Sequence, residues 1–535
     1  MTPLSPQIPA DCQWAAFDHH GQWVLERDRI AWQGVANDLR ADARREVPVL
    51  TTPSRLVPLA RLVTVVWFLG KAILPWMIAK RLKRYATPEA SRASISLRMR
   101  LAIERLGSTY IKLAQIISSG EGLFPVELVN EFKKCRDQVP PIPFDNVRDV
   151  VEAELGTRIE DTFASFDRAP LAAASIAQVH VATLKSGEHV VVKVQRPTVS
   201  KLVRKDLRVM AWLAPHLVGR IKVSALANPP ALVELFAETI VEELDFRIEA
   251  SNMIDVATML RDLGQDGYVV PRPHPTLVTR RVLVMQRLGG FKFDDVSGMK
   301  GAGIDTESVI RTGMIAFMEG ALIHGIFHGD LHGGNLFVQE DGTTALLDFG
   351  IVGRLTGPRR MAFLRLMLNA TTNNVTGQIE ALRDLGALPH DTDIQAVIAD
   401  LNLGGPVIDP TTLSGEELVK EVQRVVKALL GYGARMPKEL MLYVKNMVFL
   451  DGAIAKLAPD LDLLAEVANI SMLFAQRHGE RLGRELGIDH TTVEINLDSV
   501  KASLGVDAST NSMTYRDLQK RRQLIQKRKR EHVGK

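Results

Sequence analysis

The stretch Phe327-His328-Gly329-Asp330-Leu331-His332-Gly333-Gly334-Asn335, followed by Leu347-Asp348-Phe349-Gly350, decides how the rest of this 535-residue chain is read. It sets an Asp, an Asn five positions on, and a second Asp within Asp-Phe-Gly. Two short β-type runs, Leu336-Phe337-Val338 and Ala345-Leu346-Leu347, lie between them. Carboxylate and amide oxygens are the hard ligands that Mg²⁺ prefers, so Asn335 and Asp348 are candidate metal ligands. Asp330 stands where a carboxylate would orient or deprotonate a hydroxyl or a water. Each short match arises by chance; the ordered set is specific. The rival is zinc, since His324, His328 and His332 recur every four residues and on a helix would form one ligand face. Gly325, Gly329, Gly333 and Gly334 argue against a helix there. His328 and His332 are expected instead to hold the loop by hydrogen bonds.

The order Asp, Asn, then Asp-Phe-Gly after a strand is the one protein-kinase-like phosphotransferases use. Upstream, Val190-Val191-Val192-Lys193-Val194 puts a lysine inside an apolar strand. On an edge strand it would point to solvent; on a central one it needs a partner. In a kinase fold such a lysine holds the α- and β-phosphates and pairs with a helical Glu.

Working outward, residues 176–184 and 189–195 read as a hairpin around Lys185-Ser186-Gly187-Glu188. Helices are expected near 23–45, over 88–118 with a joint at Gly107, over 146–155 capped by Asn146 or Asp145, and over 197–218 and 230–263. A strand pair is expected at 268–271 and 278–285, and mostly helix beyond 305. This predicts an α+β, two-lobed fold with a helical N-terminal extension packed over the active site. The boundaries are 1–54, 55–106 (basic and apolar), 107–145 (the extension), 146–290 (small lobe), 291–480 (helical lobe) and 481–535 (basic tail).

Composition is that of an ordinary globular chain: 46% hydrophobic, 24% charged, two cysteines. Cys12 and Cys135 cannot build a disulfide framework and no Cys-x-x-Cys exists. With no secretory-type start, the expected location is cytoplasmic. The formal charge of +4 conceals a division. Residues 55–105 hold 11 basic and 2 acidic residues, and residues 516–535 hold 9 and 2, which leaves the remainder at −12. Residues 57–78 are rich in Val, Leu, Ile and Trp, but Arg61 and Lys71 interrupt them and Pro75 is expected to break them. A span is not expected there. Two readings stand: an interfacial helix with Trp67, Phe68 and Trp76 among headgroups and Lys80, Arg81, Lys83 and Arg84 on anionic lipid, or a helix packed on the protein. The tail's Lys520-Arg521-Arg522 and Lys527-Arg528-Lys529-Arg530 lack interleaved aromatics, so nucleic acid is not the expected partner.

Several further motifs, in order, resemble the UbiB-type (AarF-type, ABC1) atypical kinase family from about residue 96 to 353, and more loosely to about 480. Lys112-Leu113-Ala114-Gln115 stands at the family's KxGQ motif, and Asp137-Gln138-Val139-Pro140-Pro141 resembles the segment after it. Residues 170–180, with Ala172-Ala173-Ala174-Ser175, resemble the alanine-rich loop that replaces the usual glycine-rich one. Glu243-Leu244-Asp245 matches the ExD motif, with Glu249 following. The resemblance implies that Glu249 pairs with Lys193 and that Lys112 and Gln115 meet Glu243 and Asp245. It also implies that Ala172, Ala173, Ala174 and Ser175 lie on the phosphates of ATP or ADP, and that Met285, Gln286, Arg287 and Leu288 form the adenine hinge. Glu243 and Glu249, six apart, are expected on different faces of one helix.

Departures are visible. Ala114 replaces the motif Gly, Gly120 and Gly122 stand where Arg and Asp are expected, and Gln286 replaces an acidic residue. His328-Gly329-Asp330 lacks the arginine that answers activation-loop phosphorylation, and no Ala-Pro-Glu follows Asp348-Phe349-Gly350. Alanine resists the backbone conformations with which glycine approaches phosphates, so the loop is expected to grip a triphosphate differently. The expected function is an atypical kinase or ATPase using Mg²⁺ with ATP or ADP. It would hydrolyse ATP or phosphorylate a small, lipophilic acceptor at an anionic membrane surface, in isoprenoid-quinone or lipid metabolism. The alternative is a nucleotide-binding pseudokinase scaffold.

Overall fold

The run His189-Val190-Val191-Val192-Lys193-Val194-Gln195 builds the centre of the main sheet, because its β-branched residues pack on both faces of a pleated strand. The computed structural model describes residues 30, 32–54, 57–118, 124–135, 140–218, 228–355, 357–372, 374–401, 428–429, 431–435, 437–487, 501, 510, 512–521 and 523. These fall into two units. The first takes the described residues of 1–258, 270–289 and 347–351; the second takes those of 259–269, 290–346 and 352–535.

In the first unit, the described chain runs ahead of the sheet through α1 (Ala36–Thr51), α2 (Leu59–Arg81), α3 (Pro88–Leu106), α4 (Ser108–Ser118), α5 (Val126–Phe132) and α6 (Phe144–Leu155). A short α7 (Ile159–Thr162) leads into β1 (Phe163–Phe166), β2 (Ala172–Ala173), β3 (Ala177–Leu184) and β4 (His189–Gln195). Then come α8 (Val199–Leu217), α9 (Pro229–Glu242) and α10 (Phe246–Asp262). After β5 (Tyr268–Val269), which belongs to the second unit, β6 (Pro273–Val278) and β7 (Val282–Gln286) complete an antiparallel sheet in the order β1-β3-β4-β7-β6, with β2 on β3. Lys193 pairs with Val179 on one side and Leu283 on the other, so its strand is central, as the apolar run predicted.

Three expectations change here. The helix expected over 230–263 is two helices, broken at Glu243-Leu244-Asp245. There the Phe246 N–H donates to Arg280 O, and Asp245 turns onto the N–H and guanidinium of Arg247. The partner of residues 282–286 is β6, not 268–271; Tyr268–Val269 pairs in parallel with Thr344 and Ala345. Helix α6 starts at Phe144 behind Pro143, with no side-chain cap, so neither Asn146 nor Asp145 caps it.

Pro75 does not end α2, which continues to Arg81. Pro75 and Lys71, whose carbonyl the proline leaves without an N–H, are both exposed, so water can satisfy that carbonyl. Arg61 has a reason to interrupt the apolar run: it turns inward to the fully buried Asp206 of α8 and to Leu106 O. Val65 and Ala72 are buried, and α2 packs on α3 and α8, yet Leu59, Val63, Val66, Trp67, Leu74, Met77 and Ile78 are exposed. One side of the helix is thus packed on the protein, as the second of the two readings had it. By length and composition α2 could cross a membrane, and 11% of its most apolar window is buried.

The N-terminal region is anchored on the rest of this unit. Arg40 donates to Ser251 and Asn252, and Trp32 Nε1 donates to His274 O at 3.0 Å. His274 is wholly buried, and its Nδ1 accepts the N–H groups of Thr276 (3.2 Å) and Leu277 (3.1 Å). Burial holds its pKa down to about 3, from an ordinary 6.5. A depressed pKa gives stability that is complete above 6.5 and lost as pH falls. The cost is about 1.4 kcal/mol per pH unit while the imidazole stays neutral. The melting temperature of the native chain should therefore fall more steeply from pH 6.5 to pH 4 than that of His274→Gln. Parallel curves would refute the assignment.

In the second unit, β8 (Phe291–Lys292), α11 (Val296–Gly301) and α12 (Thr306–Glu319) precede a π-helical turn, Gly320–His324. Then come β9 (Ile326–His328), β10 (Leu336–Val338), β11 (Thr344–Leu346) and β12 (Val352–Arg354). Helices α13 (Pro358–Thr371), α14 (Val375–Asp384), α15 (Ile394–Asp400), α16 (Lys438–Leu457) and α17 (Leu463–Leu486) follow. One sheet has the order β5-β11-β10-β8, and β9 pairs antiparallel with β12. Phe317, Phe327 and Phe363 cluster on Tyr443 of α16, with ring centroids 4.8–6.0 Å apart. This aromatic cluster backs the loop that follows β9.

Candidate active site

In the first unit, Lys193 Nζ lies 2.7 Å from Glu249 Oε1 and 3.2 Å from Asp348 Oδ1. Glu249 sits in the first turn of α10, and both it and Lys193 are buried, whereas the Asp348 side chain is 48% exposed. Burial works against the Lys193 charge, and Asp348 and then Glu249 more than offset it, so the ammonium titrates above its ordinary value. Burial pushes Glu249 up to about 7, against the pull of Lys193. Two carboxylates share one ammonium, and the surplus negative charge raises the proton affinity of the more buried acid.

Asp348 has a φ of +57°, in the left-handed region, which costs a non-glycine residue about 1–2 kcal/mol. The conformation is held from both sides. Gly350 N–H donates to Asp348 Oδ1, and the buried Asn252 amide donates to Phe349 O at 2.9 Å. Asn252 was not singled out in the sequence, although its position three residues after Glu249 puts it on the same helix face.

Lys112 on α4 meets Glu243 at 2.9 Å, as the resemblance implied. The other residues of that expected contact have these further partners. The Gln115 amide reaches Cys135 O at 3.4 Å, and both carboxylate oxygens of Asp245 face the Arg247 guanidinium at 2.7 and 2.9 Å. Since Glu243 caps α9 and Glu249 lies on α10, two helices rather than two faces of one separate them.

The alanine-rich loop is a hairpin arm. Ala172 and Ala173 pair with Val179 and Gln178, the Ala174 N–H donates to Ala177 O at 2.9 Å, and Ser175 is buried. At the hinge the Gln286 N–H donates to Arg272 O and the Arg287 N–H to His189 O. Those two backbone donors are therefore already engaged. The Gln286 side chain accepts from Arg272 Nε at 3.2 Å.

In the second unit the loop after β9 is held by its own histidines. His328 Nδ1 accepts the Asp330 N–H at 3.1 Å, and His332 Nδ1 accepts the Gly334 N–H at 3.0 Å. Asn335 donates its amide to Asp330 O at 3.0 Å, so its Oδ1 is the atom left for a cation. Among the described residues no group of three or more His, Cys, Asp and Glu is placed to hold a metal, and the zinc reading falls. Two contributors came from far along the chain: Lys445 pairs with Asp330, and Asn446 binds the backbone on either side of it. The Gly120 and Gly122 departures, residues 137–139 and the basic run 527–530 lie outside the described residues.

A lysine on the central strand of a small antiparallel sheet paired with a buried helical glutamate, an Asp-Phe-Gly beside the pair and an Asp…Asn loop define a kinase-like protein. Residues 134–382 match the ABC1 atypical kinase-like domain. An uncharacterized Mycobacterium tuberculosis protein is 36% identical over 368 residues, 68% of this chain and 74% of its own. A "Probable protein kinase UbiB" of Marinobacter nauticus is 31% identical over 442 residues, 81% of this chain and 76% of its own. An uncharacterized aarF domain-containing protein kinase of Arabidopsis thaliana, named as chloroplastic, is 32% identical over 403 residues, 69% and 73% of the two chains. The solved complex of Rv3197 with erythromycin, from Mycobacterium tuberculosis, aligns over 64% of this chain and 90% of its own, at 20% identity and a TM-score of 0.36. The chain belongs to the ABC1/UbiB family of atypical kinases.

Proposed function

We propose that the protein is an ATP-consuming atypical kinase or ATPase that works with Mg²⁺ at an anionic membrane surface. The observation that carries this reading is the Lys193 ammonium held between Glu249 and Asp348. Lys193 offers a fixed cation to the α- and β-phosphates, oriented by a carboxylate too buried to move freely. Asp348 and Asn335 each offer a hard oxygen ligand. Mg²⁺, when bound, neutralises charge on the phosphate oxygens. Asp330 orients the accepting hydroxyl or a water and takes its proton. Lys112 and Glu243 hold the extension in place beside this machinery, and Leu288 with the hinge carbonyls contacts adenine.

The acceptor class is a small, lipophilic molecule, in keeping with isoprenoid-quinone or lipid metabolism. The missing Ala-Pro-Glu supports it, as does the apolar outer face of α2, which ends in Lys80 and Arg81 and is followed by Lys83 and Arg84. Lys71 and Lys80 lie over Trp67 and Trp76 at 4.7 and 4.8 Å, a pairing suited to the headgroup layer. The second reading, a scaffold that holds nucleotide without transfer, draws on the Ala174 N–H being spent on Ala177 O. ATP consumption by the full chain with phosphatidylglycerol vesicles separates the two. We expect a rate about 100-fold above that of Asp348→Asn. Equal rates in the two proteins would sink the enzyme reading.

A further inference from the structure

The loop that carries Asp330 and Asn335 contains no lysine or arginine between residues 324 and 338. Its cation comes from α16. Lys445 Nζ donates to Asp330 Oδ1, with the two side chains 21% and 18% exposed. The next residue, Asn446, is fully buried and works on the backbone around the same aspartate. Its Oδ1 accepts the Leu331 N–H at 3.0 Å, and its Nδ2 donates to His328 O. Two consecutive side chains of one helix thus engage the residue two before Asp330, Asp330 itself and the residue after it. The helix is a firm base for this, because Tyr443 stacks on Phe317 at 5.1 Å and meets Phe327 and Phe363 edge-on.

We propose that Lys445 is a positioning residue for the Asp330 carboxylate, fixing its orientation in the loop through one carboxylate oxygen. A carboxylate rotates about its last torsion with little preference, so a loop carboxylate without a fixed partner samples many unproductive orientations. The Lys445 ammonium removes that freedom through one oxygen, while the Asn446 amide fixes the backbone from which the carboxylate hangs. The inference rests on the phosphoryl-transfer reading of the site, and it adds to that reading a residue more than a hundred positions away.

The test uses the full chain with ATP and phosphatidylglycerol vesicles, comparing native, Lys445→Met, Lys445→Arg, Asp330→Asn and the Lys445→Met/Asp330→Asn double variant. Lys445→Met should lower kcat about tenfold or more while the KM for ATP stays within about twofold, and Lys445→Arg should recover kcat to within about threefold of native. A Lys445→Met protein with native kcat overturns the proposal, and so do Met and Arg variants that are equally slow. Melting temperatures give a readout independent of turnover. Lys445→Met should lower the native midpoint by about 2 °C but the Asp330→Asn midpoint by less than half as much. Equal falls in both backgrounds would show that the two side chains are not coupled and would overturn the proposal on structural grounds. A native rate no higher than that of Asp330→Asn would instead defeat the transfer reading, and the melting cycle would then decide the pairing by itself.

Discussion

Replacing Lys193 with Met should lower ATP consumption by about 100-fold or more and make folding stability depend on pH in a new way. The first effect follows from losing the cation that contacts both Glu249 and Asp348 in the first unit, for which an uncharged side chain offers no substitute. The second follows from what is left behind. Removing one partner of a buried ion pair typically costs about 3–5 kcal/mol, because the other charge stays desolvated. Glu249 can escape by taking up a proton. Its pKa is already raised by burial to about 7 against an ordinary 4.5, and Lys193 is the group that holds it down. An acid raised in the folded state contributes stability that is complete below 4.5 and lost as pH rises through the folded pKa. Without Lys193 that pKa moves higher and the loss deepens. The difference in melting temperature between native and Lys193→Met should therefore be small at pH 5 and large at pH 8. Adding Glu249→Gln to Lys193→Met should recover most of the loss at pH 8. A difference that does not change between the two pH values would remove Glu249 as the cause.

The same residues show what sequence alone can reach. Lys193 was legible because an ammonium inside a run of four valines has few places to go, and Asp330, Asn335 and Asp348 because their order is chemically specific. The hairpin and the joint at Gly107 were legible because turn residues and apolar periods are local signals. The break at Glu243-Leu244-Asp245 was not, since apolar positions at helical spacing run on through it. The backbone of Arg280 and the guanidinium of Arg247 end the helix there, and both are tertiary facts. The partner of β7 was missed for a related reason. Pro273 reads as a breaker, yet it starts β6 at the edge of the sheet, where a strand can do without that N–H. Lys445 and Asn446 carried no signal at all. On their own helix they look like polar residues of an amphipathic face, and only the folded second unit brings them to Asp330.

The strand after Asp-Phe-Gly carries the second large effect. In the β9–β12 pair Gly353 lies directly opposite Phe327, and the Phe327 ring covers the glycine. A Cβ added at 353 would stand 2.5 Å from both Cε atoms of that ring and nearer still to its Cζ. The ring cannot swing aside cheaply. It is 1% exposed, and Phe317 and Tyr443 meet its face and edges at centroid distances of 5.6 and 6.0 Å. Gly353→Ala should therefore destabilise the chain by about 3 kcal/mol, at the upper end of the usual cost of overpacking. Because Phe327 immediately precedes His328, whose carbonyl and ring hold Asn446 and the Asp330 N–H, displacing the ring should also slow ATP turnover. Phe327→Leu gives the control, since it vacates the space above the glycine. If the clash is the cause, Gly353→Ala should cost much less in the Phe327→Leu background than in the native one, by equilibrium denaturation. The same cost in both backgrounds would mean that Gly353 is required for its backbone and not for the ring that lies over it.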